Sequence, residues 1–87
     1  MNIKPLISII IPVFNVQDYL DQCIESILIQ DFLNFELVLI NDGSTDNSGV
    51  ICDKYSQIDD RIVVSHQVNE GVSVARNKGL ELSRGNY

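Results

Sequence analysis

The chain has few basic residues and no long apolar run. Six of its 87 residues are Lys or Arg, against twelve Asp or Glu, which gives a formal net charge of −6. Polyanion binding needs clustered Lys and Arg, so this balance argues against a nucleic-acid partner. The longest apolar stretch, Leu6 to Phe14, is interrupted by Ser8 and Pro12 and is too short to span a bilayer. It also lacks the cleavage pattern of a secretion signal, which predicts a cytoplasmic chain without a transmembrane segment.

Residues typical of metal centres and nucleophilic sites are equally scarce. The chain contains two cysteines, Cys23 and Cys52, and one histidine, His66. Two cysteines do not make a disulfide framework, and we expect both to be free, buried thiols on helices. A single histidine with no other residue of metal-ligand type nearby in sequence predicts a structural or exposed side chain. We therefore assign no catalytic residue and no metal ligand to this chain.

Three apolar runs alternate with three helical patterns. The runs at 6–12 and 35–40 are almost continuously apolar, as expected of parallel strands covered on both faces, and a shorter run follows at 62–66. Apolar residues then recur at helical spacing over 16–28, 50–58 and about 71–84. Three strand–helix pairs predict right-handed crossovers. The expected fold is a Rossmann-like α/β layer, a three-stranded parallel sheet in the order third-second-first with helices on its faces.

The helix starts and apolar faces can also be predicted. Asn15 and Asp18 are placed like a capping pair for the first helix, and Ser44 or Thr45 can cap the second. The apolar residues of the second helix are Val50, Ile51, Tyr55 and Ile58. Those of the third are Val72, Ala75, Gly79 and Leu82. Because Ala75 and Gly79 are small, we expect the third helix to lie close against the sheet.

The last residues suggest that the domain continues. Gly85-Asn86-Tyr87 is typical of a helix stop and a turn, with Tyr87 beginning another strand. A three-stranded parallel sheet of this size covers its faces poorly. We therefore expect residues 1–87 to be a single partial domain, the amino-terminal part of a larger α/β domain.

Two loops are candidates for ligand binding, because open parallel sheets bind ligands beyond the carboxyl ends of their strands. These loops are 12–15 and 41–46, and neither contains a glycine-rich phosphate fingerprint. The carboxylate of Asp42 could accept an N–H from a planar heterocycle such as uracil, and it would repel the ring nitrogen of cytosine. Gly43 permits a left-handed backbone, and Ser44 suits the turn into a helix.

Other interpretations of these residues stay open. Residues 42–46 can be turn and cap chemistry alone. A calcium loop is rejected, because Asn47 and Asp53 stand where glycine and glutamate are required. Phe14 can stack on a base or pack in the core. Arg76 can reach a pyrophosphate or be a solvated cation.

Three blocks of the sequence together resemble family 2 glycosyltransferases. The first is Ser8-Ile9-Ile10-Ile11-Pro12-Val13-Phe14-Asn15, followed by Tyr19-Leu20 and Cys23-Ile24-Glu25-Ser26-Ile27; the second is Phe35-Glu36 with Val38 to Asp46; the third is Asn69 to Gly79. The resemblance implies the amino-terminal, nucleotide-binding half of a GT-A domain. Members transfer a sugar from a nucleotide-sugar donor, often a UDP-sugar, to a saccharide or lipid-linked acceptor, usually with inversion.

The resemblance also implies site residues. By position, the uracil-side contacts fall on Pro12, Phe14 and Asp42, with Asn15 shaping the loop and Arg76 near the diphosphate. Phe14 stands where many members have Tyr, so stacking is kept and a hydroxyl is lost. The expected nucleotide-binding set is Pro12, Phe14, Asn15, Asp42, Gly43, Ser44 and Arg76.

The family's Asp-x-Asp metal motif would follow the next strand, and it is absent from residues 1–87, as are the later catalytic base and acceptor region. Mg²⁺ or Mn²⁺ is therefore expected for the full-length enzyme and not for these residues alone, which we expect to be inactive and at best weak nucleotide binders. The open edge of the first strand is expected to pair with a second copy. A non-catalytic nucleotide-binding or regulatory module, and a purely structural α/β piece, are the alternatives.

Overall fold

The computed structural model describes residues 7–29 and 34–83. In chain order they form β1 (Ile7–Val13), α1 (Gln17–Leu28), β2 (Phe35–Asp42), α2 (Ser48–Ile58), β3 (Ile62–Gln67) and α3 (Val72–Leu82). All three strands and all three helices expected from the sequence are therefore present. Three expectations lie outside the described residues: a first strand starting at Leu6, a third helix reaching Arg84, and a turn at Gly85-Asn86-Tyr87.

The three strands form one parallel sheet with β2 at its centre. β2 pairs with β1 on one side and with β3 on the other, which confirms the predicted order. At the carboxyl end of the sheet, Val13 of β1 lies opposite Asn41, and Asp42 lies opposite Gln67 of β3. All eight residues of β2 are buried. That burial explains the unbroken apolar run over residues 37–40.

Helices cover both faces of the sheet. α1 and α2 pack on one face over a core of Val13, Leu20, Ile24, Phe35, Leu37, Leu39, Cys52, Tyr55 and Ile62. α3 packs on the other face, where Val38, Ile40 and Ala75 are buried. The expected close approach of α3 is confirmed, because a Cβ atom on Gly79 would collide with the side chain of Ile10.

The predicted apolar face of α2 is partly wrong. Val50 and Ile58 are each 68% exposed, and the buried residues of the helix are Ser48, Cys52 and Tyr55. These three positions follow one another at spacings of four and three, so they share one face of the helix, and Val50 lies away from it. On α3, Val72 is likewise 54% exposed, whereas Ala75 and Gly79 are buried.

The two cysteines differ in their surroundings. Cys52 is buried in the core and free, as expected, and its burial followed by the nearby charge of Asp53 raises the pKa of the thiol to about 11. Cys23 is free but exposed, so the expectation of a second buried thiol is wrong. Its position on α1 faces solvent beside the edge strand β1 rather than the core.

The local helix caps predicted from the sequence are also wrong. The residue preceding α1 is Val16 and the residue preceding α2 is Asn47, and neither makes a side-chain capping hydrogen bond. Asn15 does not cap α1, because its side chain is turned toward the second loop. α2 begins at Ser48, several residues after the predicted caps Ser44 and Thr45.

Candidate functional site

The candidate site lies at the carboxyl ends of β1 and β2. Val13 and Asn41 are opposite each other in the parallel register, so the residues that follow them, Phe14 and Asp42, lie at the same end of the sheet. We call this region the rim and define it as residues 12–16 and 41–47. Phe14 is 45% exposed, whereas Asp42 is only 4% exposed. The rim therefore combines an exposed aromatic ring with a nearly buried carboxylate.

Asn15 joins the two loops of the rim. Its backbone has a φ of +50°, the left-handed region in which Asn is one of the few tolerated residues. Its Oδ1 accepts the N–H of Thr45 at 2.8 Å and that of Asp46 at 3.3 Å, and its own N–H donates to Oγ of Ser44 at 3.1 Å. These contacts fix the backbone immediately after Phe14 to the second loop.

The first turn of α1 is satisfied across the rim by Asp46, which also accepts from the first residue of α2. Oδ2 of Asp46 accepts the N–H of Gln17 at 3.1 Å, and Oδ1 accepts the N–H of Ser48 at 2.8 Å. In return, Oε1 of Gln17 accepts the N–H of Asn47 at 2.7 Å. Burial alone would raise the pKa of Asp46, but hydrogen bonds from Ser48 and Gln17 lower it overall. One carboxylate thus serves two positive helix ends.

Asp42 is held by the segment that leads into α3. Its Oδ1 accepts hydrogen bonds from Nε2 of Gln67 at 2.9 Å and from the N–H of Glu70 at 2.8 Å. Its Oδ2 accepts the N–H of Gly71 at 2.9 Å. The hydrogen bond from Gln67, followed by that from Glu70, lowers the pKa of this carboxylate despite the opposing effect of desolvation. Asp42 is therefore ionised at neutral pH.

These three donors leave capacity on one oxygen. An ionised carboxylate offers about four acceptor positions, two on each oxygen. Oδ1 of Asp42 already has two donors, and Oδ2 has one. Oδ2 therefore has one acceptor position that no described donor uses. The segment 67–71 was not predicted as part of the site. It contacts Asp42 because Gln67 lies opposite Asp42 in the register of β2 and β3.

Gly43 has a backbone that other residues would not adopt easily. Its φ is +72°, the left-handed conformation expected from the sequence. A Cβ atom at this position would lie 2.6 Å from the backbone nitrogen of Asn69. Glycine is therefore required twice, once by the turn after Asp42 and once by the close packing of this turn against the segment before α3.

The remaining predicted residues lie around this arrangement. Pro12 is half-buried at the end of β1, and Ser44 is half-buried in the second loop. Arg76 is exposed on α3, little more than one turn after the helix begins at Val72. It forms no ion pair with another described residue. The structure thus brings six of the seven predicted residues to the rim, with Arg76 on the neighbouring helix.

Neither a metal centre nor a membrane helix is found among residues 7–29 and 34–83. These residues contain no group of three or more His, Cys, Asp or Glu side chains able to hold a metal ion. None of the three helices has the length and apolar character that crossing a membrane requires.

Comparison with known proteins identifies the family. Residues 8–87 match the family described as Glycosyl transferase family 2, so the chain belongs to this family. It is 48% identical over 87 residues to "Glycosyltransferase GlyA" of Streptococcus pneumoniae serotype 4, covering all of this chain and 12% of that protein.

Solved structures agree on the fold. The "Crystal structure of S. aureus TarS 1-349" matches with a TM-score of 0.84 at 32% identity, covering 92% of this chain and 25% of that one. A mannosyltransferase from Pyrobaculum calidifontis, PcManGT, matches with a TM-score of 0.80 at 19% identity, covering 91% and 24%. The GT-A type of α/β fold is therefore confirmed. The chain spans a quarter or less of the length of these proteins.

Proposed function

We propose that residues 1–87 are the donor-nucleotide-binding half of a larger GT-A glycosyltransferase domain. The full-length enzyme would transfer a sugar from a nucleotide-sugar donor, with UDP-sugars favoured, to a saccharide or lipid-linked acceptor with inversion. The observation that carries this proposal is the rim, which holds the exposed ring of Phe14 and the ionised carboxylate of Asp42 at one end of the sheet. The short span of the chain relative to its relatives supports a partial domain.

The proposed base contacts use the two rim residues differently. The exposed ring of Phe14 offers a face on which a pyrimidine can stack, and such stacking contributes about 1–3 kcal/mol per base. Oδ2 of Asp42 can accept the N3–H of uracil, which cytosine lacks. Pro12 and Asn15 would then shape the wall of the base pocket. The hydrogen bonds that join the two loops support this assignment, because loops that are already ordered cost less ordering free energy when ligand binds.

The proposed diphosphate contacts are weaker in these residues alone. Gly43 and Ser44 offer a close backbone approach and a hydroxyl, and Arg76 offers a positive charge on α3. Asp42 and Asp46 would repel a diphosphate at short range. The described residues do not assemble a set of ligands for a metal ion. The mannosyltransferase of the same fold was solved with GDP-Man and Mn²⁺, which supports a divalent ion in the full-length enzyme.

Calorimetric titration with UDP, CDP and GDP tests the proposed function. We expect UDP to bind residues 1–87 weakly, about tenfold more tightly than CDP, and Asp42→Asn to abolish this difference. The UDP-to-CDP ratio is the measured quantity, because it is insensitive to a general loss of stability in the variant. No sugar transfer is expected from residues 1–87. Equal binding of UDP and CDP would contradict the proposal, and UDP binding without transfer by the full-length protein would favour a non-catalytic module.

Two further properties form part of the proposal. Among residues 7–29 and 34–83, β1 pairs with β2 on one side and no strand lies on its other side, so β1 is an edge strand of the described sheet. An apolar groove lies beside that edge, lined by Ile11, Pro12, Val16, Tyr19, Leu20 and Cys23. We therefore expect self-association, seen in light scattering as a mass that rises with concentration; a constant monomer mass would refute it.

A cytoplasmic location, including the cytoplasmic face of the membrane, is tested by cell fractionation.

A further inference from the structure

Four hydrogen bonds connect α2 to the loop that contains Phe14. Nε2 of His66 lies 2.9 Å from Oδ1 of Asp53, and Nδ1 of His66 lies 2.9 Å from Nδ2 of Asn41. Oδ1 of Asn41 then accepts the N–H of Ser44 at 3.2 Å. Oγ of Ser44 accepts the N–H of Asn15 at 3.1 Å. We call these five residues the relay: Asp53, His66, Asn41, Ser44 and Asn15.

The protonation of His66 follows from the direction of these hydrogen bonds. The backbone N–H of Ser44 can only donate, so the atom of Asn41 that it meets must be the carbonyl oxygen Oδ1. The amide group Nδ2 of Asn41 then faces His66, and because it also only donates, Nδ1 of His66 must accept. His66 is therefore the neutral imidazole with its proton on Nε2, which donates to the carboxylate of Asp53.

Packing leaves the Asn41 amide little room to turn. Asn41 is only 7% exposed, and Gly49 at the start of α2 lies against it. A Cβ atom on Gly49 would be 2.7 Å from Nδ2 of Asn41 and 3.6 Å from Cε1 of His66. Gly49 thus leaves space for the side-chain amide of Asn41. Nδ1 of His66 accepts the hydrogen bond from Nδ2 of that amide.

We propose that His66 is a positioning residue for the rim, acting through Asn41. By accepting from Nδ2 it fixes the amide orientation that holds Ser44, and Ser44 in turn holds the backbone next to Phe14. The importance of the relay for nucleotide affinity rests on the proposed function. The effect of His66 on the backbone of Ser44 and Asn15 does not, and it can be measured without nucleotide.

Nitrogen-15 NMR of residues 1–87 tests the first part. His66 is the only histidine, so its two ring nitrogens are assigned without ambiguity. We expect a pure Nε2–H tautomer at neutral pH and a scalar coupling between Nδ1 of His66 and Nδ2 of Asn41 across their hydrogen bond. A mixture of tautomers without that coupling would overturn the proposal.

Two substitutions separate positioning from general stability. His66→Asn can place a side-chain oxygen near the position of Nδ1, so it keeps an acceptor for Asn41 and loses the contact with Asp53. His66→Gln can place an amide donor near the position of Nε2, so it keeps a donor for Asp53 and loses the acceptor for Asn41. A merely structural histidine predicts similar effects for both.

The expected result is asymmetric. Amide exchange at Ser44 and Asn15 should be about tenfold faster in His66→Gln and close to wild type in His66→Asn. Gly49→Ala, which displaces the Asn41 amide without removing a hydrogen-bonding group, should resemble His66→Gln. Equal effects of the two histidine variants would overturn the positioning role. UDP affinity should follow the same order, and an absence of UDP binding with the asymmetry intact would refute the proposed function alone.

Discussion

Oδ1 of Asn15 accepts the backbone N–H of Thr45 at 2.8 Å, across 30 residues of sequence. The same oxygen also accepts from the hydroxyl of Thr45 and from the N–H of Asp46. A single side chain at the end of β1 therefore organises the loop after β2. The left-handed backbone of Asn15 is what turns its side chain toward that loop.

Substitutions of Asn15 should separate its backbone and side-chain roles. Asn15→Gly keeps the positive φ but loses the acceptor, and should lower the free energy of unfolding by about 1–3 kcal/mol. Asn15→Ala should cost about 1 kcal/mol more, because a Cβ disfavours the left-handed region. Asn15→Asp, which keeps the acceptor, should be the mildest. Denaturant unfolding measures this order, and a glycine variant as stable as wild type would refute it.

The strands and their order could be predicted because they depend on local composition and on chirality. The apolar run before Asn41 requires burial on both faces, and short crossovers between parallel strands leave few possible orders. The faces of α2 were predicted less well. Val50 and Ile58 follow helical spacing, but the buried face of the helix is the one that carries Cys52 and Tyr55.

The site could be predicted only in part. Loop positions and the candidates Phe14 and Asp42 follow from the ends of the strands. The partners of Asp42 come from residues 67–71, and the cap of α1 comes from Asp46, so both depend on tertiary packing that local rules do not describe. The role of His66 was missed for the same reason. Its partner Asn41 is visible only once the register of β2 and β3 is known.

Asp42→Asn should change the acid dependence of stability. The N–H donors led by Gln67 lower the folded pKa of Asp42 below its unfolded value of about 3.9. The ionised carboxylate therefore stabilises the fold above that pH, and the contribution is lost as pH falls through the lower folded pKa. The variant should be less stable near pH 6 and should lose less stability below pH 4. The pKa values of Asp46 and Asp59 are also lowered, so the variant should still lose part of its stability in acid.

Thermal unfolding from pH 6 to pH 2.5 measures this difference. Glu81→Gln is the matched control, because it removes the same charge from an exposed carboxylate on α3. The control should follow the wild-type profile. A parallel decline of Asp42→Asn and wild type with acidification would show that the hydrogen bonds to Asp42 do not stabilise the fold.

Gly79→Ala should destabilise the packing of α3 on the sheet. The added Cβ would collide with Ile10, and overpacking of this kind costs about 1–3 kcal/mol even though alanine favours helices. Asn77→Ala on an exposed position of α3 should change the free energy of unfolding by less than about 0.5 kcal/mol.

The double variant Ile10→Ala with Gly79→Ala provides the specific check. Removing the Ile10 side chain makes room for the new methyl group, so the two changes should be less destabilising together than the sum of the single effects. Additive effects would show that the loss of stability in Gly79→Ala does not come from contact with Ile10.

Phe14 should contribute to nucleotide affinity without contributing much to stability. Its ring is 45% exposed, so Phe14→Ala should leave the free energy of unfolding nearly unchanged and weaken UDP binding by about tenfold or more. Phe14→Tyr should retain the affinity. Tyr19→Ala, which removes another exposed aromatic ring from α1, should leave binding unchanged. Equal losses in the Phe14 and Tyr19 alanine variants would indicate nonspecific association.

The most direct measurement is the nuclear Overhauser effect between protein and nucleotide in residues 1–87 saturated with UDP. If the rim holds the pyrimidine, the ring protons of Phe14 will show cross-peaks to H5 and H6 of uracil, and the amides of residues 42–44 will shift. Bound UDP with no cross-peak to Phe14 and unshifted amides at 42–44 would contradict the account.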